Sequence, residues 1–174
     1  QGFSAGFNSV IGSRVIIVII ISIMSKKIVL VTGATSGIGE GCARRFAQGG
    51  YNVIVTGRNL EKLESLKTQL EKEGVDVLPL AFDVRDREAA KEAIEHLPEQ
   101  WKSIDVLVNN AGLARGLEPE DEGSFDDWDQ MIDTNIKGLL TMTRLIVPDM
   151  VKRNHGHVIN IGSVAGDAAY AGGN

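Results

Sequence analysis

The chain has 174 residues, 43% of them apolar, which is enough for one α/β domain with a buried core. Its formal net charge is −5, from 18 basic and 23 acidic side chains with no basic cluster, so composition argues against a nucleic-acid or anionic-membrane partner. The single cysteine, Cys42, excludes an internal disulfide and suits a reducing compartment.

Residues 1–23 differ from the rest. They begin with Gln1, carry Arg14 as their one charge, and contain the apolar run Val15-Ile16-Ile17-Val18-Ile19-Ile20-Ile21. A membrane span needs roughly 20 such residues, about twice this run. No small-residue cleavage site of a signal peptide precedes Lys26. Met24-Ser25-Lys26-Lys27 then leads into an apolar stretch, as a cytosolic protein's own start would. Residues 1–23 are therefore read as a non-native extension upstream of that start. A membrane or targeting segment and an added strand are the alternatives.

Beyond Lys27, short β-branched runs alternate with longer periodic segments, the pattern of βαβ units and a parallel sheet. Strands are predicted at 28–32, 52–56, 75–80, 104–108 and 157–161. Cys42 falls in the first helix, beside Ala43 and Phe46, as a packing residue. Leu60, Leu63, Leu66 and Leu70 mark the core face of the next helix, and Gly74 stops it. Ala89, Ala90, Ala93, Ile94 and Leu97 do the same before Pro98 ends theirs. A long helix is predicted from about Asp126 to Arg153, capped by Ser124 and ended by Asn154-His155-Gly156. The acids Glu118, Glu120, Asp121, Glu122, Asp126, Asp127 and Asp129 read as solvated surface favoured by the helix dipole. His155 and His157 flank a glycine without a third ligand at metal-site spacing. With no repeat and no low-complexity linker, residues 24–174 read as one domain.

The chemistry concentrates in Thr32-Gly33-Ala34-Thr35-Ser36-Gly37-Ile38-Gly39, which lies between the run Ile28–Val31 and a helical segment. Such a strand–turn–helix lets backbone approach a pyrophosphate and places its charge at a helix N-terminus. Gly33, Thr35, Ser36, Gly37, Ile38 and Gly39 are the candidate contacts. An NAD site would place an acid about 20 residues further on, to hold the ribose hydroxyls. No acid occurs between Glu40 and Glu61, and Thr56-Gly57-Arg58 stands there instead. A guanidinium suits a 2′-phosphate, so Arg58 points to NADP; the plainer alternative is a solvent-facing arginine after a strand. Asp83 and Val84, after the third strand, are candidates for adenine. Asn109, Ala111 and Gly112, after the fourth, are candidates for the adenosine ribose.

Thr32–Gly39, Asn109-Asn110-Ala111-Gly112, Asn135 and Ile161-Gly162-Ser163 together resemble the short-chain dehydrogenase/reductase family, from about Met24 to Asn174. The segments Asn109–Ala114, Met131–Asn135, Asn154–His157 and Tyr170–Asn174 resemble more narrowly its NADP-dependent 3-hydroxy acid (serine-type) dehydrogenases, which also reduce malonic semialdehyde. The resemblance implies a Rossmann-type doubly wound parallel sheet of order 3-2-1-4-5, truncated after about five strands. It implies hydride transfer at nicotinamide C4, interconverting a hydroxyl and a carbonyl on a small 3-hydroxy acid such as serine or 3-hydroxypropionate. The implied setting is a cytoplasmic homo-oligomer acting on a small molecule.

Family proton transfer uses an Asn–Ser–Tyr–Lys set. Asn135 matches the Asn, which helps hold a relay water, and Ser163 the Ser, which hydrogen-bonds the substrate oxygen. In the family the Tyr follows the Ser by about a dozen residues, with the Lys about four beyond it. Tyr170 is too close to Ser163 to match, and Asn174 stands where a Lys would follow it, so Tyr170 reads as a pocket or packing residue. The chain is thus expected to be a fragment that ends before its catalytic Tyr and Lys. Residues 1–174 alone are expected to lack dehydrogenase activity and to be poorly soluble. Strand 157–161 would be an apolar edge, and the face bearing Met142, Leu145 and Ile146 would lack its dimer partner. A non-catalytic dinucleotide-binding module and a membrane-tethered member are the alternative readings. Arg115 is either a partner for a substrate carboxylate or a surface arginine.

Overall fold

Strands form where β-branched residues cluster, and helices where leucine or alanine recurs at three- to four-residue spacing. A computed structural model of the chain describes residues 26–116 and 118–166. Its elements are β1 (Ile28–Val31), α1 (Gly37–Gln48), β2 (Asn52–Gly57), α2 (Leu60–Leu70), β3 (Val77–Ala81), α3 (Arg87–Glu95), β4 (Ile104–Asn109), α4 (Phe125–Met131), α5 (Leu139–Arg153) and β5 (His157–Asn160). Residues 1–23 and Tyr170 lie outside the described residues.

The five strands pair in parallel in the order β3-β2-β1-β4-β5, as expected. The two-residue period of a strand sends alternate side chains to opposite faces. Val29, Val31, Val53 and Val55 pack with Ala43 of α1 and with Leu63, Leu66 and Leu70 of α2. Leu30, Ile54 and Leu107 pack on the other face with Ala90 of α3 and with Met142, Ile146 and Met150 of α5. The sheet is therefore covered on both sides, which is why β1 reads as an unbroken apolar run.

Several local expectations hold. Gly74 ends the leucine helix in a left-handed conformation, after one 3-10 turn at Glu71–Glu73. The Ser124 hydroxyl accepts from the Asp127 amide and caps α4. Asn154 adopts φ 51° and terminates α5. Cys42 is half-buried against the core.

Three details differ. Leu60 is 52% exposed in the first turn of α2, off the buried stripe. The long helix is interrupted by a π segment, Ile132–Gly138, between α4 and α5. That extra turn brings the backbone close to the strand ends: a Cβ on Gly138 would lie 2.8 Å from Val84 Cγ2. Finally, Met142 and Ile146 belong to the core, while the exposed apolar side chains along this helix are Ile132, Ile136, Leu140 and Val151. The segment is apolar on more than one side, so hydrophobicity alone did not say which side meets the sheet.

Candidate functional site

The C-terminal ends of the strands open into a cleft of about 820 Å³. It lies where strand order reverses between β1 and β4, the usual crevice for ligands in open α/β sheets. Among the predicted site residues, Gly33, Thr35, Ser36, Gly37, Ile38, Arg58, Asp83, Val84, Asn109, Ala111, Gly112, Asn135 and Ser163 all line it. Gly39 sits buried beneath the turn.

The glycine turn is shaped by close approach. Gly33 has φ +64°, and a Cβ there would lie 2.9 Å from the Ala111 Cα. A Cβ on Gly39 would overlap the Gly33 carbonyl and the Asn110 amide. Ser36 opens α1 from an extended backbone without a side-chain cap, so the first N–H groups of this 12-residue helix stay available at the cleft.

Two residues that sequence reasoning did not single out hold this turn. Thr32 Oγ1 accepts from the backbone N–H groups of Asn110 and Ala111, both at 2.9 Å. The Asn110 amide donates in return to the carbonyls of Thr32, at 2.9 Å, and Gly33, at 3.1 Å. Both stood inside the quoted motifs, and the signal was a polar side chain at the end of an otherwise apolar strand.

At the end of β2, Arg58 is exposed in the cleft wall. Beyond β3, Asp83 is gripped by Arg85: Nε lies 3.1 Å from Oδ1 and 3.0 Å from Oδ2, and Nη2 2.7 Å from Oδ2. These bonds hold the Asp83 carboxyl below its ordinary range, with the charge of Arg58 assisting, and hold Arg85 above its own. At the end of β4, Asn109 donates to Thr143 Oγ1 at 3.0 Å and Asn160 Oδ1 at 2.9 Å, tying β4 to α5 and β5.

Asn135 lies in the π segment and is fully engaged. Its Oδ1 accepts from the Leu113 N–H at 2.9 Å and its Nδ2 donates to the Leu113 carbonyl at 2.8 Å. Ser163 is exposed after β5, and its Oγ accepts from the Ala165 N–H at 3.1 Å. Arg115 lies outside the cleft lining and faces Asp127 at 3.6 Å, so the carboxylate nearest it is the protein's own.

The cleft fits a phosphorylated dinucleotide. Thr56 Oγ1, Asn109 Oδ1 and Thr134 Oγ1 are buried in residues that line it, with no partner among the described residues. Thr35, Ser36, Asn110 and Ser163 add polar groups to the same lining, which suits a polar ligand. The glycine turn leaves room for phosphate oxygens to meet backbone, and the Arg58 guanidinium follows Thr56 and Gly57, which pack beside that turn.

Comparison with known proteins agrees. The sequence pattern of the family described as short chain dehydrogenase matches residues 27–174. The chain is 59% identical over 147 residues to the NADP-dependent 3-hydroxy acid dehydrogenase YdfG of Salmonella typhi, covering 84% of this chain and 58% of that protein. It is 47% identical over 146 residues to serine 3-dehydrogenase of Rhizobium radiobacter, covering 84% and 57%. The crystal structure of serine dehydrogenase from Escherichia coli superposes with a TM-score of 0.79 at 55% identity, over 83% of this chain and 66% of that one. The closed form of serine dehydrogenase complexed with NADP+ gives the same TM-score and identity, over 83% and 57%. The chain thus spans 58% of the length of the first of these relatives.

Proposed function

Because the chain belongs to the short-chain dehydrogenase family, we propose that the protein is an NADP-dependent oxidoreductase of small 3-hydroxy acids. Serine and 3-hydroxypropionate, with malonic semialdehyde in the reverse direction, are the favoured substrates. One observation carries this reading: a single cleft gathers the glycine turn, Arg58, Asp83 and Ser163. The names of the relatives, NADP-dependent 3-hydroxy acid dehydrogenase and serine 3-dehydrogenase, support it.

In this reading Thr35–Ile38 and the first turn of α1 hold the pyrophosphate. Arg58 takes the 2′-phosphate, with the buried Thr56 hydroxyl behind it. Asp83 and Val84 border adenine, and Ala111 and Gly112 the adenosine ribose. Bound NADP would exchange a hydride with substrate at nicotinamide C4. Ser163 accepts from the Ala165 N–H, which leaves its own O–H to donate to a substrate oxygen. Asn135 spends its amide on Leu113, so a relay water at this residue falls to its backbone carbonyl. The Tyr–Lys pair of the family belongs about a dozen residues past the Ser, beyond the described residues. Among the described residues no helix is long and apolar enough to cross a membrane. A cytoplasmic, homo-oligomeric enzyme is the setting we infer.

The test is a fluorescence titration with NADPH and NADH, paired with turnover of 3-hydroxypropionate and serine by the whole protein. NADPH should bind at least about tenfold tighter than NADH, and Arg58→Ala should abolish most of that margin. Equal affinities, or a margin untouched by Arg58→Ala, would refute the cofactor assignment. Turnover of simple alcohols but of neither hydroxy acid would refute the substrate class.

A further inference from the structure

A carboxylate in the wall that receives a 2′-phosphate is an electrostatic liability. Asp83 lines the same cleft as Arg58, and the charge of Arg58 reaches it. A phosphate docked on Arg58 would share the cleft with that carboxylate, and like charges repel.

Arg85 removes the liability by geometry. Its guanidinium engages both Asp83 oxygens in three contacts, and its backbone N–H donates to Asp83 Oδ1 at 3.0 Å. The Arg85 side chain is 33% exposed and that of Asp83 26%, so solvent screens the pair only in part. The turn is stiffened by the Asp86 N–H donating to the Asp83 carbonyl at 2.9 Å. Asp133 of the π segment, outside the cleft lining, bears on Arg85 by its charge and is itself paired with Lys137 at 2.7 Å. Among the described residues Arg58 makes no ion pair.

We propose that Arg85 is a specificity-determining residue: by engaging both Asp83 oxygens and neutralising their charge, it lets the cleft lined by Arg58 accept a 2′-phosphorylated dinucleotide. The inference rests on the dinucleotide-binding reading and adds a second residue to the preference for NADP over NAD. Arg85 acts through Asp83, so its role is positional, and it predicts a signature that loss of a direct phosphate contact would not give.

The experiment compares NADPH and NADH affinities of the parent protein, Arg85→Gln, and the double variant Asp83→Asn with Arg85→Gln. Arg85→Gln should weaken NADPH about tenfold and NADH less than about twofold, as expected for exposing one charge to another at a partly buried site. Because adenine is common to both cofactors, the double variant is read by ratio: removing the Asp83 charge should bring the NADPH-to-NADH affinity ratio back to within about threefold of the parent. Equal losses for both cofactors in Arg85→Gln, an unchanged Arg85→Gln, or a ratio that stays depressed in the double variant would each overturn the proposal. A parent that binds neither cofactor would instead sink the dinucleotide reading, and this proposal with it. Both side chains are partly exposed, and thermal unfolding of each variant checks that affinity changes are not loss of fold.

Discussion

Asn135 grips Leu113 by both of its backbone groups, accepting from the N–H at 2.9 Å and donating to the carbonyl at 2.8 Å. The contact joins the π segment to the loop after β4, two stretches that both line the cleft. An asparagine side chain here imitates a strand partner, and it fastens a loop that has no sheet neighbour of its own. A Cβ on Gly112 would lie 3.3 Å from the same Oδ1, so the approach is already tight.

Asn135→Ala should therefore loosen the loop before it harms the core. We expect a loss of about 1–2 kcal/mol in urea unfolding, the range for two partly solvated hydrogen bonds. Amide exchange at Leu113 should accelerate far more than exchange in β4. Unchanged protection at Leu113 would mean the clasp is not formed in solution.

Gly33 and Gly37 both have positive φ, at +64° and +55°, but their surroundings differ. A methyl at Gly33 meets the Ala111 backbone at 2.9 Å, whereas one at Gly37 meets nothing within 4 Å. Gly37→Ala should cost about 1 kcal/mol, from backbone strain alone. Gly33→Ala should cost about 2–4 kcal/mol, because strain adds to a backbone clash that cannot relax by side-chain rotation. Chemical denaturation of the two variants decides this, and equal costs would contradict the close approach of the turn to the β4 loop.

Asp83 supplies a pH dependence with a definite sign. Its folded-state carboxyl lies below the ordinary value of 3.8, chiefly because Arg85 hydrogen-bonds the charged form. The stabilisation is complete above that value and is lost as pH falls through the lower folded one. The unfolding midpoints of the parent and Asp83→Asn should differ steadily near neutrality, with the gap closing below 3.8. A gap that widened with acid would show that the carboxylate is destabilising where it sits.

Much of the fold was legible because its causes are local. Val29, Val31, Val53 and Val55 announce strands through their β-branching, and Leu63, Leu66 and Leu70 a helix through their spacing. The π segment was not legible, since Ile132–Gly138 has the composition of ordinary helix and its extra turn appears only where Gly138 packs on Val84. Leu60 shares the spacing of the buried leucines, yet it comes one turn too early to reach the sheet. Arg115 could not be assigned from sequence, because its partner Asp127 lies on another element.

The amino-acid sequence by itself determined the strand and helix succession, the glycine turn, the placing of Arg58 after β2, and many of the residues that come to line one cleft. Those follow from backbone propensity, side-chain period and short-range motif, all written within a few residues of one another. Only the tertiary structure decided that Thr32 is the hub of the turn, binding an amide 79 positions away. It also decided that Asn135 clasps Leu113 and that Met142 faces the core. Most of these depend on which distant groups parallel pairing brings within hydrogen-bond reach. Asp83 and Arg85 are near neighbours, yet their meaning too depends on β2 bringing Arg58 into the same cleft lining. A pairing energy that exists only after the sheet has assembled leaves no local trace in the chain.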